Sequence, residues 1–214
     1  MAHYFITGTD TDAGKTYVTC LLLESLRRAG RSVAGYKPFV CGPRTDAHQL
    51  LDSSSPGLML EEVNPVWLKS SAAPYAAGLL ENKPVSIDVA RAGFHHLAAR
   101  FEDVLIEGAG GWEVPLTESE TLADFAQSLG VPVLLVVNNR LGALNHTILT
   151  VRNIHARGLM CAGVILNHVG EERDAASISN RMVLERFLEV PILAEVMHGE
   201  TEMDWPLESV GGKD

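Results

Sequence analysis

Cysteine is scarce in this chain and never clustered. Cys20, Cys41 and Cys161 are three, odd in number and far apart, with no C-x-x-C. A disulfide framework or a zinc site is therefore not expected, and a reducing compartment fits. The eight histidines include no H-E-x-x-H or comparable metal spacing, and His95 and His96 are adjacent, so they point to different sides of a helix. A G-x-S-x-G serine elbow is also missing. Long apolar runs are absent: the longest clean stretch, VPVLLVV at 131–137, is far too short to cross a bilayer. Positive charge is in deficit, with 17 Lys and Arg against 27 Asp and Glu and a net charge of −10. That balance argues against a nucleic-acid partner, whose phosphates need a basic face, while a local basic pocket for a small anion stays possible. A strand pattern starts within a few residues of Met1, so no signal peptide is expected and the chain reads as soluble and cytoplasmic.

What is present is a regular alternation. The 214 residues, 46% hydrophobic and 21% charged, suit one globular domain. Strand patterns at 3–9, 32–38, 103–111, 131–139, 161–169 and 191–196 alternate with helix patterns at 16–29, 86–101, 121–130, 144–158 and 174–188. Gly30 and Gly130 act as helix stops, and Ser86 caps the helix that it opens. Residues 39–85 are the least regular part, and the tail from Gly199 is acidic and weakly patterned. Strand–helix alternation at this spacing predicts βαβ crossovers: a single-domain α/β fold, with a mostly parallel sheet covered by helices on both faces. Ligands in such folds bind at the carboxyl ends of the strands.

Five places just after strands carry unusual residues. The stretch FITGTDTDAGKT ends in Gly14-Lys15-Thr16. A strand before it and a helix after it make a phosphate loop, with backbone N–H groups around the anion, Lys15 reaching the β- and γ-phosphates and Thr16 ligating Mg²⁺. The spacing is irregular, with five residues between Gly8 and Gly14, and two acids, Asp10 and Asp12, sit in a loop meant for a polyanion. They either order the loop, offset cationic charge beside the nucleotide, or are simply solvated. Lys37 ends the second strand before Pro38 and reads as a ligand-facing or as a surface lysine. Asp46 reads as a helix cap or as a carboxylate for Mg²⁺. Glu107, closing an apolar strand, is costly there unless it meets a cation, which makes it a second carboxylate for Mg²⁺, and Gly108, Gly110 and Gly111 let backbone approach phosphate. Residues 142–145 open a helix whose free N–H groups can hold a carboxylate, the plain alternative being a connection capped by Asn145. These residues define a phosphate-loop NTPase type of domain that binds nucleotide and Mg²⁺.

GTDTDAGKT, AGYKP, EGAGGW and RLGALNHT, in this order, resemble the dethiobiotin synthetase family, from residue 4 to about 196. The resemblance implies an ATP-dependent ligase of biotin synthesis that joins 7,8-diaminopelargonic acid and CO₂ into dethiobiotin, giving ADP and phosphate through a carbamate and a carbamic–phosphoric anhydride. It implies catalytic roles for Lys37, Lys15 and Thr11, and Mg²⁺ on Thr16, Asp46 and Glu107. Nucleotide contacts follow at Asp12, Ala13, Gly14, Lys15, Thr16 and Tyr17, at Asp46, Glu107, Gly108, Ala109 and Gly110, and at the base through Asn167 and His168. It implies substrate contacts from Lys37 and Cys41, and from Gly142, Ala143, Leu144 and Asn145 of the neighbouring subunit of a homodimer. Three positions depart from the family pattern: Cys41 where a serine is typical, His168 where an aspartate is common, and Met197 where a proline is usual. A thiol donates weakly, and the other two bear on base selectivity.

Two other readings compete. A partitioning or metal-inserting ATPase of the same class carries a lysine five residues before the loop lysine, where this chain has Asp10. A non-catalytic nucleotide-binding module would bind ATP without diamine-dependent turnover. A GTPase is excluded because NNRLG and NHVG both fail its N-K-x-D motif.

Overall fold

The computed structural model describes residues 2–207. Six strands form one sheet in the order β2-β5-β1-β6-β7-β8, and every neighbouring pair is parallel. They are β1 (Ala2–Gly8), β2 (Val33–Tyr36), β5 (Asp103–Gly111), β6 (Val133–Asn138), β7 (Cys161–Asn167) and β8 (Ile192–Val196). Parallel pairing needs crossovers, supplied by the helices α1 (Lys15–Arg28), α2 (Thr45–Ser53), α5 (Ile87–Ala98), α6 (Leu122–Leu129), α7 (Ala143–Ala156) and α8 (Ala175–Phe187).

The two-residue period of a strand explains how so apolar a sheet is covered twice. Phe5, Val133, Leu135, Val164 and Leu166 face a core shared with α5, α6, α7 and α8. Their neighbours Tyr4, Ile6, Leu134, Val136 and Ile165 face a second core closed by α1 and α2. Local signals set the helix ends. Thr121 and Asp124 form a reciprocal capping box, and Gly130 closes that helix in the left-handed region. Ser86 accepts from Val89 N, and Asp174 accepts from Ser177 N.

Three stretches differ from expectation. Residues 39–85 hold two strands and three helices joined by irregular links: β3 (Phe39–Cys41) pairs parallel with β4 (Val66–Leu68), beside α2, α3 (Leu60–Val63) and α4 (Pro74–Glu81). Three-residue strands are too short to display a period. The expected strand 32–38 ends early, at Tyr36, because Lys37 N donates to Val63 O at 2.8 Å instead of continuing the sheet. The tail also packs. Trp205 lies 5.6 Å from Tyr4 between ring centroids, and Arg28 Nη2 donates to Met203 O at 2.7 Å. The remainder of the tail, 208–214, lies outside the described residues.

Candidate active site

The central strand β1 ends at Gly8, and α1 starts at Lys15, so the loop between them lies at the carboxyl edge of the sheet. Gly14 caps α1 at φ 80°, a left-handed conformation that favours glycine. No side chain bonds to that cap, which leaves the first N–H groups of α1 facing outward for an anion. The loop acids differ in role. Asp10 Oδ1 accepts from Thr11 N at 2.7 Å, and the Asp10 carbonyl accepts from Lys15 Nζ at 2.9 Å. Asp10 therefore orders the loop, while Asp12 is exposed, with φ 58°. A Cβ on Gly8 would come within 3.0 Å of Lys15 Nζ, so the glycine makes room for that side chain.

Four charged side chains converge above β1, β2 and β5. Lys37 is 4% exposed and Glu107 fully buried. Lys37 Nζ is paired with Glu107 Oε1 and lies 3.1 Å from Asp46 Oδ2. Thr16 Oγ1 donates to the same Glu107 Oε1 at 2.7 Å. Asp46 does not cap a helix: Arg44 is the cap residue of α2, and the Asp46 carboxylate points to Lys37. Burial lowers the Lys15 ammonium to about 8, and the Lys37 ammonium adds to the shift, against Glu107, Asp46 and Asp10. Burial also presses Lys37 downward, but Glu107 and Asp46 more than offset it, and its pKa ends above the usual lysine range.

The donor set fits Mg²⁺. Glu107 Oε2 is buried with no hydrogen-bond partner among the described residues, beside a hydroxyl and the half-exposed Asp46 carboxylate. Among the described residues no cluster of three or more His, Cys, Asp or Glu forms an all-protein cage. Mg²⁺ on a nucleotide needs only one or two carboxylates, because phosphate and water complete its shell.

A cavity of about 490 Å³ opens from Lys37 and Asp46. Thr11, Cys41, Ala109 and Gly110 line it, with Phe39, Pro43, Ser71, Pro74 and Val114 as further walls. Burial pushes the Cys41 thiol up to about 11, so it stays a neutral, weak donor. Gly108 is a packing position: a Cβ there would meet Leu122 Cδ2 at 2.7 Å.

The base-side residues separate. Asn167 is 2% exposed. Its Nδ2 donates to Ala13 O at 2.9 Å, and its Oδ1 has no partner among the described residues. His168 is not brought to the loop. Its Nε2 lies 2.6 Å from Glu195 Oε1 and 3.2 Å from Asn139 Nδ2, in a buried network between β7, β8 and α8. Tyr17 turns its hydroxyl to the Glu200 carbonyl. Gly142, at φ 92°, caps α7 without a side-chain bond; Asn145 is exposed within the helix and is not the cap. Residues 142–145 do not line the cavity that Lys37 faces.

Sequence reasoning missed Asn64 and Arg44. Asn64 Nδ2 donates to Lys37 O at 2.9 Å, and Arg44 Nε donates to Asn64 Oδ1 at 3.0 Å. Together they fix the backbone under the catalytic lysine candidate. Neither sits in a motif, and no sequence signal marked them.

A phosphate loop on the central strand of a six-stranded parallel sheet, with two lysines and two carboxylates at its rim, defines a phosphate-loop nucleotide-binding protein. The family described as AAA domain matches residues 2–201. MinD of Pyrococcus horikoshii, solved with Mg-ADP, superposes with a TM-score of 0.59 at 18% identity over 92% of this chain and 81% of its own. A ParA family ATPase of Chlorobium tepidum gives 0.55 at 12% identity, over 92% and 84%. At those identities the likeness shows the fold alone.

The sequence relatives are more specific. The chain is 46% identical to the ATP-dependent dethiobiotin synthetase BioD of Akkermansia muciniphila, over 95% of this chain and 96% of that protein. It is 37% identical to the protein of the same name from Bacillus subtilis strain 168, over 90% and 86%. The chain belongs to the ATP-dependent dethiobiotin synthetase family.

Proposed function

We propose that the chain, acting as one domain, is a ligase that joins 7,8-diaminopelargonic acid and CO₂ into the cyclic urea of dethiobiotin, with ATP converted to ADP and phosphate. The observation that carries this reading is the placement of Lys37 and Asp46 in the wall of a cavity that Phe39, Pro43, Pro74 and Val114 also line, with Glu107 paired to Lys37 behind them and Lys15 close enough to feel all three charges. The charged end suits phosphate and a carbamate, and the apolar walls suit an alkyl chain.

In the proposed reaction CO₂ adds to one substrate amine, and the carbamate oxygen takes the γ-phosphoryl group. The second amine then attacks the carbamoyl carbon, the ring closes, and phosphate leaves. This chemistry needs positioning and charge neutralisation more than a covalent nucleophile. Lys15 and the N–H groups of α1 hold the phosphates, Lys37 holds the carbamate, and the Thr11 hydroxyl bonds beside them. Mg²⁺, held by Thr16, Glu107 and Asp46, would supply neutralisation of the phosphate charge. Asn167 offers the base an acceptor, Oδ1, that has no partner among the described residues and that suits the exocyclic amine of adenine. Nothing in the environment of His168 supports a base contact.

The free N–H groups at Gly142 to Asn145 would grip the substrate carboxylate from the partner of a homodimer. That they do not line the chain's own cavity supports that division of labour. Among the described residues no helix is long and apolar enough to cross a membrane; the proposed setting is the cytoplasm.

The test is phosphate release from ATP and bicarbonate, with and without 7,8-diaminopelargonate. Release that depends on the diamine is expected. Release indifferent to it would remove the ligase reading in favour of a switch ATPase, and ATP binding with no release would leave a binding module.

A further inference from the structure

Lys37 occupies the atoms that a divalent ion would need. Its Nζ is paired with Glu107 Oε1 and lies 3.1 Å from Asp46 Oδ2, while Thr16 Oγ1 donates to that same Glu107 oxygen. These are the three residues assigned above to Mg²⁺. One ammonium thus bridges both carboxylates. A divalent cation placed on the same oxygens would stand within a few ångströms of the ammonium in a poorly solvated site, where like charges repel strongly.

Any displacement of Lys37 falls to its side chain. Its backbone is fixed on both sides: the N–H donates to Val63 O at 2.8 Å, the carbonyl accepts from Asn64 Nδ2 at 2.9 Å, and Pro38 follows. Its side chain lines the cavity next to Thr11 and Cys41. Asp46 is the looser of the two partners, its side chain 49% exposed against none for Glu107.

We propose that Lys37 and the divalent ion compete for Glu107 and Asp46, so that arrival of the metal–nucleotide releases the ammonium into the cavity, where the substrate carbamate forms. The lysine is thereby sequestered on the carboxylates until the phosphoryl donor is in place. This inference rests on the reading of Thr16, Glu107 and Asp46 as the ligands of the ion. It goes further by making two site residues mutually exclusive at one pair of oxygens. Linkage makes it measurable: if the ion must expel Lys37, removing Lys37 must tighten the ion.

The probe is Mn²⁺ alone, titrated into the full chain without nucleotide and followed by the electron paramagnetic resonance signal of the free ion. Lys37→Met is expected to bind Mn²⁺ roughly tenfold tighter than wild type or more. Lys15→Met removes the same charge from a side chain bonded to the Asp10 carbonyl instead, and is expected to change affinity much less. Equal or weaker Mn²⁺ binding in Lys37→Met overturns the competition, and so does equal tightening in Lys15→Met, which would reduce the effect to net charge. Mn²⁺ bound by neither wild type nor Lys37→Met also overturns the competition, because removal of the lysine then frees no site that the ion can take.

A second measurement needs no variant at Lys37 to fold. In ¹⁵N-lysine spectra of wild type, the buried Lys37 ammonium resonance is expected to shift or broaden away on addition of Mg²⁺ with a non-hydrolysable ATP analogue, and a resonance left unchanged overturns the release. Neither readout involves the diamine, CO₂ or turnover. A failed phosphate-release assay therefore sinks the ligase reading without touching this one, and the reverse also holds.

Discussion

Asn167 Nδ2 donates to the carbonyl of Ala13 at 2.9 Å, a bond that spans 154 positions of sequence and ties the end of β7 to the phosphate loop. The same carboxamide stands over Gly14, where a Cβ would come within 2.0 Å of Nδ2. The two positions are therefore coupled. Gly14→Ala combines that clash with a strained φ of 80°, and is expected to destabilise the protein by about 2–3 kcal/mol and to weaken ATP binding. Asn167→Ala leaves the Ala13 carbonyl without its donor, at a cost of about 1–2 kcal/mol. In the double variant the clash is gone, so urea unfolding is expected to show a combined cost below the sum. Strict additivity would mean that the loop and β7 do not constrain one another.

Lys15 is the site lysine whose charge costs the fold. Burial and the Lys37 ammonium bring it from 10.5 in the unfolded chain to about 8 in the folded one. Below pH 8 both states carry the proton and the folded state bears the full cost, on the order of 3 kcal/mol. Between pH 8 and 10.5 the unfolded state binds more protons, so stability from this group rises with pH; above 10.5 the cost is gone. Lys15→Met, which also loses the bond to the Asp10 carbonyl, is expected to stand highest relative to wild type at pH 7 and to lose that advantage as pH rises through the window. Denaturant unfolding of both proteins at pH 7, 8, 9 and 10 checks this. A pH-independent difference would mean that Lys15 titrates normally.

Most of the fold was legible because the strands buried on both faces announce themselves. VPVLLVV and CAGVILN are near-continuous apolar runs, and glycines stand where helices stop. The phosphate loop, Lys37 and Glu107 were legible for the same positional reason: they follow strands at the edge where ligands sit. What escaped lacked a period or a motif. Phe39–Cys41 and Val66–Leu68 are strands of three residues, held by pairing to each other. Asn64 serves the Lys37 carbonyl from 27 positions away, and nothing local marks it. Asp46 read equally as a cap or a ligand, because only the fold reveals that Lys37 is its partner. His168 was expected at the base from the family resemblance, but just past the end of β7 its side chain pairs with Glu195 while Asn167 reaches the phosphate loop.

The tail is a packed strap at least as far as Leu207. Met203, Trp205 and Leu207 join the core that covers α1, and Tyr17, in the first turns of α1, donates to the Glu200 carbonyl. Trp205→Ala is expected to cost about 1–2 kcal/mol, less than a fully buried aromatic because the ring is half-exposed. Through Tyr17 it is expected also to weaken nucleotide binding by roughly threefold to tenfold. Trp205→Phe, which keeps a ring against Tyr4, is expected to restore most of both. Thermal unfolding and ATP titration read the two effects. Loss of stability with unchanged ATP affinity would confine the strap to a packing role.

Glu107 and Asp46 share one lysine but differ in what they can give up. Glu107 is fully buried, and its Oε1 accepts from both Lys37 and Thr16. Glu107→Gln removes the buried carboxylate and leaves the Lys37 ammonium with only the half-exposed Asp46. An undercompensated buried charge costs about 3 kcal/mol, and diamine-dependent phosphate release is expected to fall by roughly 10³-fold with the loss of charge stabilisation at the reacting phosphate. Asp46→Asn leaves the buried Lys37–Glu107 pair intact. Its expected cost in stability is below about 1 kcal/mol, as for other exposed charges, and its loss of activity is confined to weaker metal binding. Raising Mg²⁺ is therefore expected to restore phosphate release in Asp46→Asn and not in Glu107→Gln. Equal rescue of both variants, or of neither, would show that the two carboxylates are not divided in this way between a buried anchor and an exchangeable outer ligand.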